Sequence, residues 1–259
     1  METLAVTLLA CCAVGWTVLA GTDIGSGMLL PWLGRGDAER RLVLASFAPF
    51  FLGNEVWLVA TAGVLVGCFP ALEGELLSGQ APVLVALLAG WIVRDAALWS
   101  RGRGPGRRWR AACDAAVTAG SWTVALSWGL LLVALLTGRP YEPAGGPVAL
   151  VAAPAVAALF AAHGLGFASL RLTGAPYQRA RRLVGRAGRP WHPVALTAVP
   201  LGGLTLWAGA SLPLAERAAA PGTLALLVPA LAVVTPLLVA VQAWVWYVFR
   251  GRVTGPSYL

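Results

Sequence analysis

The stretch that decides the fold runs from Gly21 to Trp57 and reads GTDIGSGMLLPWLGRGDAERRLVLASFAPFFLGNEVW. Two apolar segments flank a short charged loop, and each segment carries one acid inside its apolar run, Asp23 in the first and Glu55 in the second. A carboxylate among apolar neighbours is costly unless it is protonated, paired or hydrated. An acid at such a position in a membrane span is typical of a functional site.

The composition excludes an ordinary soluble domain. Of the 259 residues, 58% are hydrophobic and only 12% are charged, whereas soluble domains carry about 25% charged residues. Apolar runs of about 20 residues recur, which is the length of helix that crosses a bilayer. We predict an all-α, polytopic membrane helix bundle forming a single transmembrane domain over residues 1–259. Its seven spans are expected near residues 3–33, 47–70, 80–100, 113–137, 148–172, 192–213 and 222–250.

The arginines set the predicted orientation. The net charge is +8, and all 19 basic residues are arginine. They gather in alternate loops, near residues 34–46, 101–112 and 173–191, whereas the other loops hold only Arg139 and Arg217. The positive-inside rule therefore predicts an N-terminus outside and a C-terminus in the cytoplasm. Because the positive charge follows the loops, we expect no nucleic-acid partner.

Four ionisable groups lie within the predicted spans: Asp23, Glu55, Arg94 and Asp95. Asp23 is about ten residues from the predicted cytoplasmic end of its span, hence about 15 Å deep at 1.5 Å per residue. The other three lie in the same half of the membrane, so Arg94 is placed to pair with Asp23 or Glu55. One interpretation is a polar path for protons or a quinone head group. The other is a structural ion pair that locks the first three spans together, and the spacing favours neither.

Histidine, tryptophan and cysteine are the other residue types that could form a site. His163 stands alone inside the fifth span, and His192 lies at a span end, so a haem held by two histidines is excluded and a packing or hydrogen-bonding role is expected. Trp57 lies two residues after Glu55, about 200° around a helix, so we expect it to face another helix or subunit. The four cysteines form no metal-binding spacing, and no metal site is predicted.

Several of these residues stand in runs that resemble subunit II of the cytochrome bd quinol oxidases. The runs are TDIGSGMLLPWLGRGDAERR at 22–41, GNEVWL at 53–58, FPALEGELLSG at 69–79, SLRLTG at 169–174 and AWVWYVFRGRV at 243–253. The first hundred residues are the most specific part. The chain is about two helices shorter than is usual in that family, with the missing material expected between the fifth and seventh spans, which indicates a short, divergent member.

The resemblance implies a division of labour between two subunits. In that family subunit I carries haems b and d, the oxygen chemistry and the quinol oxidation of this respiratory enzyme, while subunit II is haem-free and supports assembly and proton and oxygen access. We therefore expect no cofactor on this chain, a haem-bearing subunit I as its partner, and a bacterial cell membrane as its location. Membrane lipids, small accessory subunits and quinone are further expected partners. Related complexes also imply a structural quinone, for which no binding residue is predicted.

Two departures from the family pattern bear on the proton path. The family usually has an aspartate immediately before the GNEVW-type motif, where this chain has Leu52, and a second aspartate that aligns with Trp99. Asp95 is then a displaced substitute for the second. The proton-access candidates are Asp23, Glu55, Arg94 and Asp95. Trp57 matches the tryptophan of the proposed oxygen path, and no catalytic residue is predicted on this chain.

Three functional hypotheses follow. The first is the haem-free second subunit of a bd-type quinol:oxygen oxidoreductase, not catalytic by itself. The second is a purely structural assembly subunit whose proton path has decayed, as Leu52 and Trp99 suggest. The third is a membrane transporter that uses the same acids. Transporters often contain inverted repeats, and the absence of a convincing repeat in this sequence counts against the third hypothesis.

Overall fold

The protein is a bundle of long apolar helices. The computed structural model describes residues 1–185 and 189–255, and within these ranges it contains helices and no β-strand. Seven helices there are long and apolar enough to cross a membrane, which confirms the predicted class and number: α1 (Glu2–Met28), α3 (Asp37–Cys68), α5 (Ala81–Ser100), α6 (Gly106–Leu136), α7 (Gly146–Arg171), α9 (His192–Ala210) and α10 (Pro221–Val248). Three shorter helices are α2 (Leu30–Leu33), α4 (Pro70–Gly79) and α8 (Gly174–Val184).

Two predicted loops are largely helical. The spans expected to begin near residues 47 and 113 begin at Asp37 and Gly106, so most of 34–46 and part of 101–112 belong to α3 and α6. The prediction was wrong here because it followed the apolar run, whereas these helices continue into a polar zone where their charged side chains form ion pairs. Asp37 and Glu39 also suit the positive end of the α3 dipole.

The third arginine-rich loop contains α8, which was not expected. Four of the five arginines of that loop lie in the described part of the chain, and Arg186 lies outside the described residues. The predicted orientation of the termini stays a prediction.

The first helix is the centre of the bundle. It packs against α3, α6, α7, α9 and α10, while α5 packs chiefly against α6. The contact with α7 is backbone to backbone: a Cβ atom added at Gly25 would lie 2.0 Å from the Phe160 carbonyl oxygen, and one at Gly164 would lie 2.1 Å from the Gly25 carbonyl carbon. Small residues allow this close approach of membrane helices. It holds the helix that carries Asp23 firmly in place.

Candidate functional site

The structure brings the four predicted ionisable residues together in one group, which we call the inner cluster (Asp23, Glu55, Arg94 and Asp95). The Arg94 guanidinium from α5 donates through Nη2 to Asp23 Oδ1 of α1. Its Nη1 donates to Asp95 Oδ1 at 3.0 Å and lies 3.6 Å from Glu55 Oε1 of α3. One arginine therefore joins acids from three spans.

Three uncharged side chains that the sequence analysis missed support the inner cluster. Asn54 Nδ2 donates to Asp23 Oδ2 at 2.7 Å, and Gln242 Nε2 of α10 donates to Asn54 Oδ1 at 2.8 Å. Trp91 Nε1 donates to Glu55 Oε1 at 2.8 Å. Gln242 is the one amide in the apolar run of α10, and a search for amides inside apolar spans would have found it together with Asn54.

The inner cluster is closed on one side and partly open on the other. The Arg94 and Asp23 side chains are each 2% exposed, whereas Glu55 is 16% and Asp95 is 20% exposed. The more open acids lie on α3 and α5 beside exposed apolar residues, among them Val56 and Ile92. Carboxyl groups on such a face would meet acyl chains if lipid covered it, which is costly.

A second group, the rim cluster (Asp37, Arg40, Arg101, Arg110 and Asp114), lies at the arginine-rich end of the bundle. Arg101 Nε donates to Asp114 Oδ1 at 2.6 Å, and its Nη2 donates to Asp37 Oδ1 at 2.9 Å. Arg40 Nη1 donates to Asp114 Oδ2 at 3.2 Å, and Arg110 Nε donates to Asp37 Oδ1 at 3.0 Å. These bonds tie the start of α3 to the end of α5 and the start of α6.

The rim cluster corrects the sequence analysis. The sequence pattern places Arg101 among the loop arginines, and Asp114 is not among the four ionisable groups predicted within spans. Arg101 is only 1% exposed, and Asp114 is buried as well. Burial disfavours the charged guanidinium, but the hydrogen bonds and charges of Asp114 and Asp37 outweigh it and raise the pKa of Arg101 above its ordinary value. Arg101 is therefore a permanent cation in this structure.

The other residues considered from the sequence lie apart from the inner cluster's hydrogen bonds. His163 is buried, with Nδ1 2.7 Å from Thr197 Oγ1 and Nε2 2.9 Å from the Val18 carbonyl oxygen, so both ring nitrogens have hydrogen-bonding partners, as expected. The buried Trp57 ring packs against α1 at Gly15, and it therefore faces another helix of the same chain. Leu52 is exposed.

An apolar cavity of about 340 Å³ lies at the opposite end of the bundle from the rim cluster, with walls from α1, α3, α4, α5, α6 and α9. Trp128 lines it and contacts Trp16, their ring centroids 4.3 Å apart. Trp16 in turn lines the small space beside Asp23 and Arg94. Two indole rings thus stand between the apolar cavity and the inner cluster.

The inner cluster holds more acids than cations. One guanidinium neutralises one carboxylate, and a further ionised carboxylate would be a net charge in a low-dielectric interior. The three acids therefore provide more proton sites than the single arginine requires as counter-ions. Within residues 1–185 and 189–255, no three histidine, cysteine or acidic side chains are grouped as they would be to hold a metal ion.

These features define a multi-pass helical membrane protein with an arginine–carboxylate site between three spans. The family model described as cytochrome bd terminal oxidase subunit II matches residues 1–215. The chain belongs to this family.

Individual relatives agree with the family match. Cytochrome bd ubiquinol oxidase subunit 2 of Bacillus subtilis (strain 168) is 31% identical over 186 residues, which cover 68% of this chain and 55% of the relative. Cytochrome bd-I ubiquinol oxidase subunit 2 of Escherichia coli (strain K12) is 34% identical over 129 residues, covering 50% of this chain and 34% of the relative. The chain thus spans between about a third and about half of the length of these relatives.

Proposed function

We propose that this chain is the haem-free second subunit of a bd-type quinol oxidase, in which a haem-bearing subunit I transfers electrons from quinol to oxygen. Family membership supports the type of complex. The names of the relatives, ubiquinol oxidase subunit 2 in two bacteria, support a place beside another subunit.

The observation that carries the proposal is the partly open inner cluster. Glu55 and Asp95 are partly exposed on an otherwise apolar face of α3 and α5. A protein neighbour on this face would supply the polar groups or water that acyl chains lack. We therefore assign this face to the contact with subunit I.

We assign the haems to the partner because of the donors on this chain. Both ring nitrogens of His163 already have hydrogen-bonding partners. His192 lies at the start of α9, where its Nδ1 accepts a hydrogen bond from the Arg189 backbone N–H at 3.2 Å. Histidine is a common axial ligand of haem iron, and coordination by His163 or His192 would break these contacts.

A native pull-down with a tag on this chain tests the assignment. We expect a second polypeptide to co-purify and the complex to show haem absorbance in the visible spectrum, whereas the tagged chain expressed alone shows none. A stoichiometric haem on the isolated chain would overturn the haem-free role. Purification of the native protein without any haem-bearing companion would overturn the oxidase role.

We further propose that the inner cluster gives protons access toward the partner's oxygen chemistry. The cluster has more acidic than basic side chains. Glu55 lies at its open side, where it accepts a hydrogen bond from Trp91 Nε1. The family resemblance further suggests that Trp57 lines an oxygen path. Its buried ring would place such a path between α1 and α3.

The variant Glu55→Gln separates proton access from a purely structural role. It keeps the shape and an acceptor for the Trp91 N–H but cannot release a proton, so we expect quinol oxidation by the intact complex to fall on the order of tenfold or more. The matched control is Glu73→Gln, the same chemical change in α4. Unchanged turnover with a normal haem spectrum would instead favour the structural hypothesis.

A further inference from the structure

The short helix α8 has the features of a membrane-surface element. It connects two spanning helices at the arginine-rich end, and its Pro176 and Ala180 are buried. Leu183 is 68% exposed and Trp191, just before α9, is 50% exposed. A basic amphipathic helix with exposed apolar residues beside it is typical of a segment that contacts lipid head groups.

A small basic cavity separates α8 from the turn between α2 and α3. Its volume is about 160 Å³, and its walls are Arg35, Ala175, Gln178, Arg179 and Arg182. Arg179 is held in place, because its Nε donates to the Leu33 carbonyl oxygen at 2.9 Å and its Nη2 pairs with Glu39. The cavity thus has one fixed guanidinium in its wall and two others at its edges.

The charges around this cavity are not balanced by the protein. Neither the Arg35 nor the Arg182 guanidinium donates a hydrogen bond to another group in the described ranges. The acid nearby, Glu39, already accepts from Arg179 and, at 2.9 Å, from the Arg35 backbone N–H. Glu39 also interacts with the charge of Arg35, but one carboxylate offsets only one of the three guanidinium charges, and a bound anion would reduce the remaining repulsion.

We propose that Arg35 and Arg182, together with Gln178 of the same cavity wall, bind the phosphate of an anionic lipid head group. Guanidinium groups pair with phosphate through two parallel hydrogen bonds, and the Gln178 amide adds a donor. A lipid suits the site better than free phosphate because α8, whose Gln178 and Arg182 line the cavity, connects two spanning helices and carries the exposed Leu183 next to Arg182. A lipid tail in that position stays among apolar side chains while its phosphate reaches the arginines.

Native mass spectrometry of the full chain in detergent tests this proposal. The probes are phosphatidylglycerol and phosphatidylethanolamine with identical acyl chains, titrated separately, with inorganic phosphate as a competitor. We expect one phosphatidylglycerol to bind more tightly than phosphatidylethanolamine and to resist millimolar phosphate. Each arginine near a charged lipid surface contributes about 1 kcal/mol. The variant R35Q/R182Q should therefore weaken that binding roughly thirtyfold, and R182Q alone roughly fivefold.

The control is R103Q/R107Q, which removes the same charge from an exposed segment at the same end of the bundle. It should leave the tight phosphatidylglycerol site unchanged. Equal losses in the two double variants would mean general attraction by positive charge and would overturn the site. Equal binding of the two lipids, or displacement by phosphate at low millimolar concentration, would overturn a lipid phosphate as the occupant.

Discussion

The inner cluster places one arginine among three acids, whereas the rim cluster places three arginines among two acids. The inner cluster is surrounded by the apolar part of the bundle, and the rim cluster lies beside the arginine-rich loops. An excess of acids in a low-dielectric interior requires protons or a polar neighbour. An excess of arginines near water and lipid head groups requires neither bound protons nor a protein neighbour, because water and head groups solvate the charge. The same two side-chain types therefore form an acid-rich site between spans in one region and an arginine-rich junction between helix ends in the other.

Removal of the central arginine should give the largest effect and break the inner cluster. We expect Arg94→Met to lower the free energy of unfolding by about 3–5 kcal/mol at neutral pH, the cost of leaving a buried charge unpaired. Because a protonated carboxyl group needs no counter-ion, the loss should shrink as the pH is lowered. Thermal unfolding of the purified protein in detergent, followed by circular dichroism at several pH values, measures both effects.

Arg139→Met is the matched control for this variant, since Arg139 is an exposed arginine in a loop at the other end of the bundle. It should change stability by less than about 0.5 kcal/mol. A loss for Arg94→Met that is equally small, or that does not depend on pH, would contradict the view that Arg94 is the counter-ion of the inner acids.

The rim cluster should respond differently. We expect Arg101→Met to cost about 3 kcal/mol, at the lower end for a broken buried pair, because Arg40 still contacts Asp114. In complexes that do assemble, turnover should stay normal, since the rim cluster holds helices together. Unfolding measurements and oxygen consumption per haem separate the two effects, with the exposed Arg103→Met as control. Reduced turnover in a stable complex would give the rim cluster a role in proton transfer as well.

The sequence predicted the inner cluster well and the rim cluster poorly, for a physical reason. Each residue of the inner cluster interrupts an apolar run. An ionisable group inside a membrane span is costly, so it is usually paired or functional. Arg101 directly follows one predicted span and Asp114 is the second residue of the next, so charges at these span ends look ordinary. Their burial comes from the helical continuation of α3 and α6 beyond the apolar runs, which hydropathy does not report.

A search for charged residues could not find the uncharged side chains that support the inner cluster. Asn54 lies next to Glu55, yet on a helix it points about 100° away from it, and only the packing of α1 against α3 brings its amide to Asp23. The number of spans followed directly from the lengths of the apolar runs. Gly21 and Gly25, four residues apart, indicate a small-residue face on α1 that permits a close helix contact, but their spacing does not indicate that α7 is the partner.

The smallest expected effect tests how far the inner cluster extends. Gln242 is the residue that connects α10 to it, through the Asn54 amide oxygen. Gln242→Leu should cost about 1–2 kcal/mol, because Asn54 Oδ1 would be left buried without its donor. The control is Val241→Leu, on the same turn of α10 and exposed. Since Asn54 also positions Asp23, a loss in both stability and turnover would include α10 in the inner cluster. A change no larger than that of the control would limit the cluster to α1, α3 and α5, and would leave α10 as a helix held by apolar packing alone.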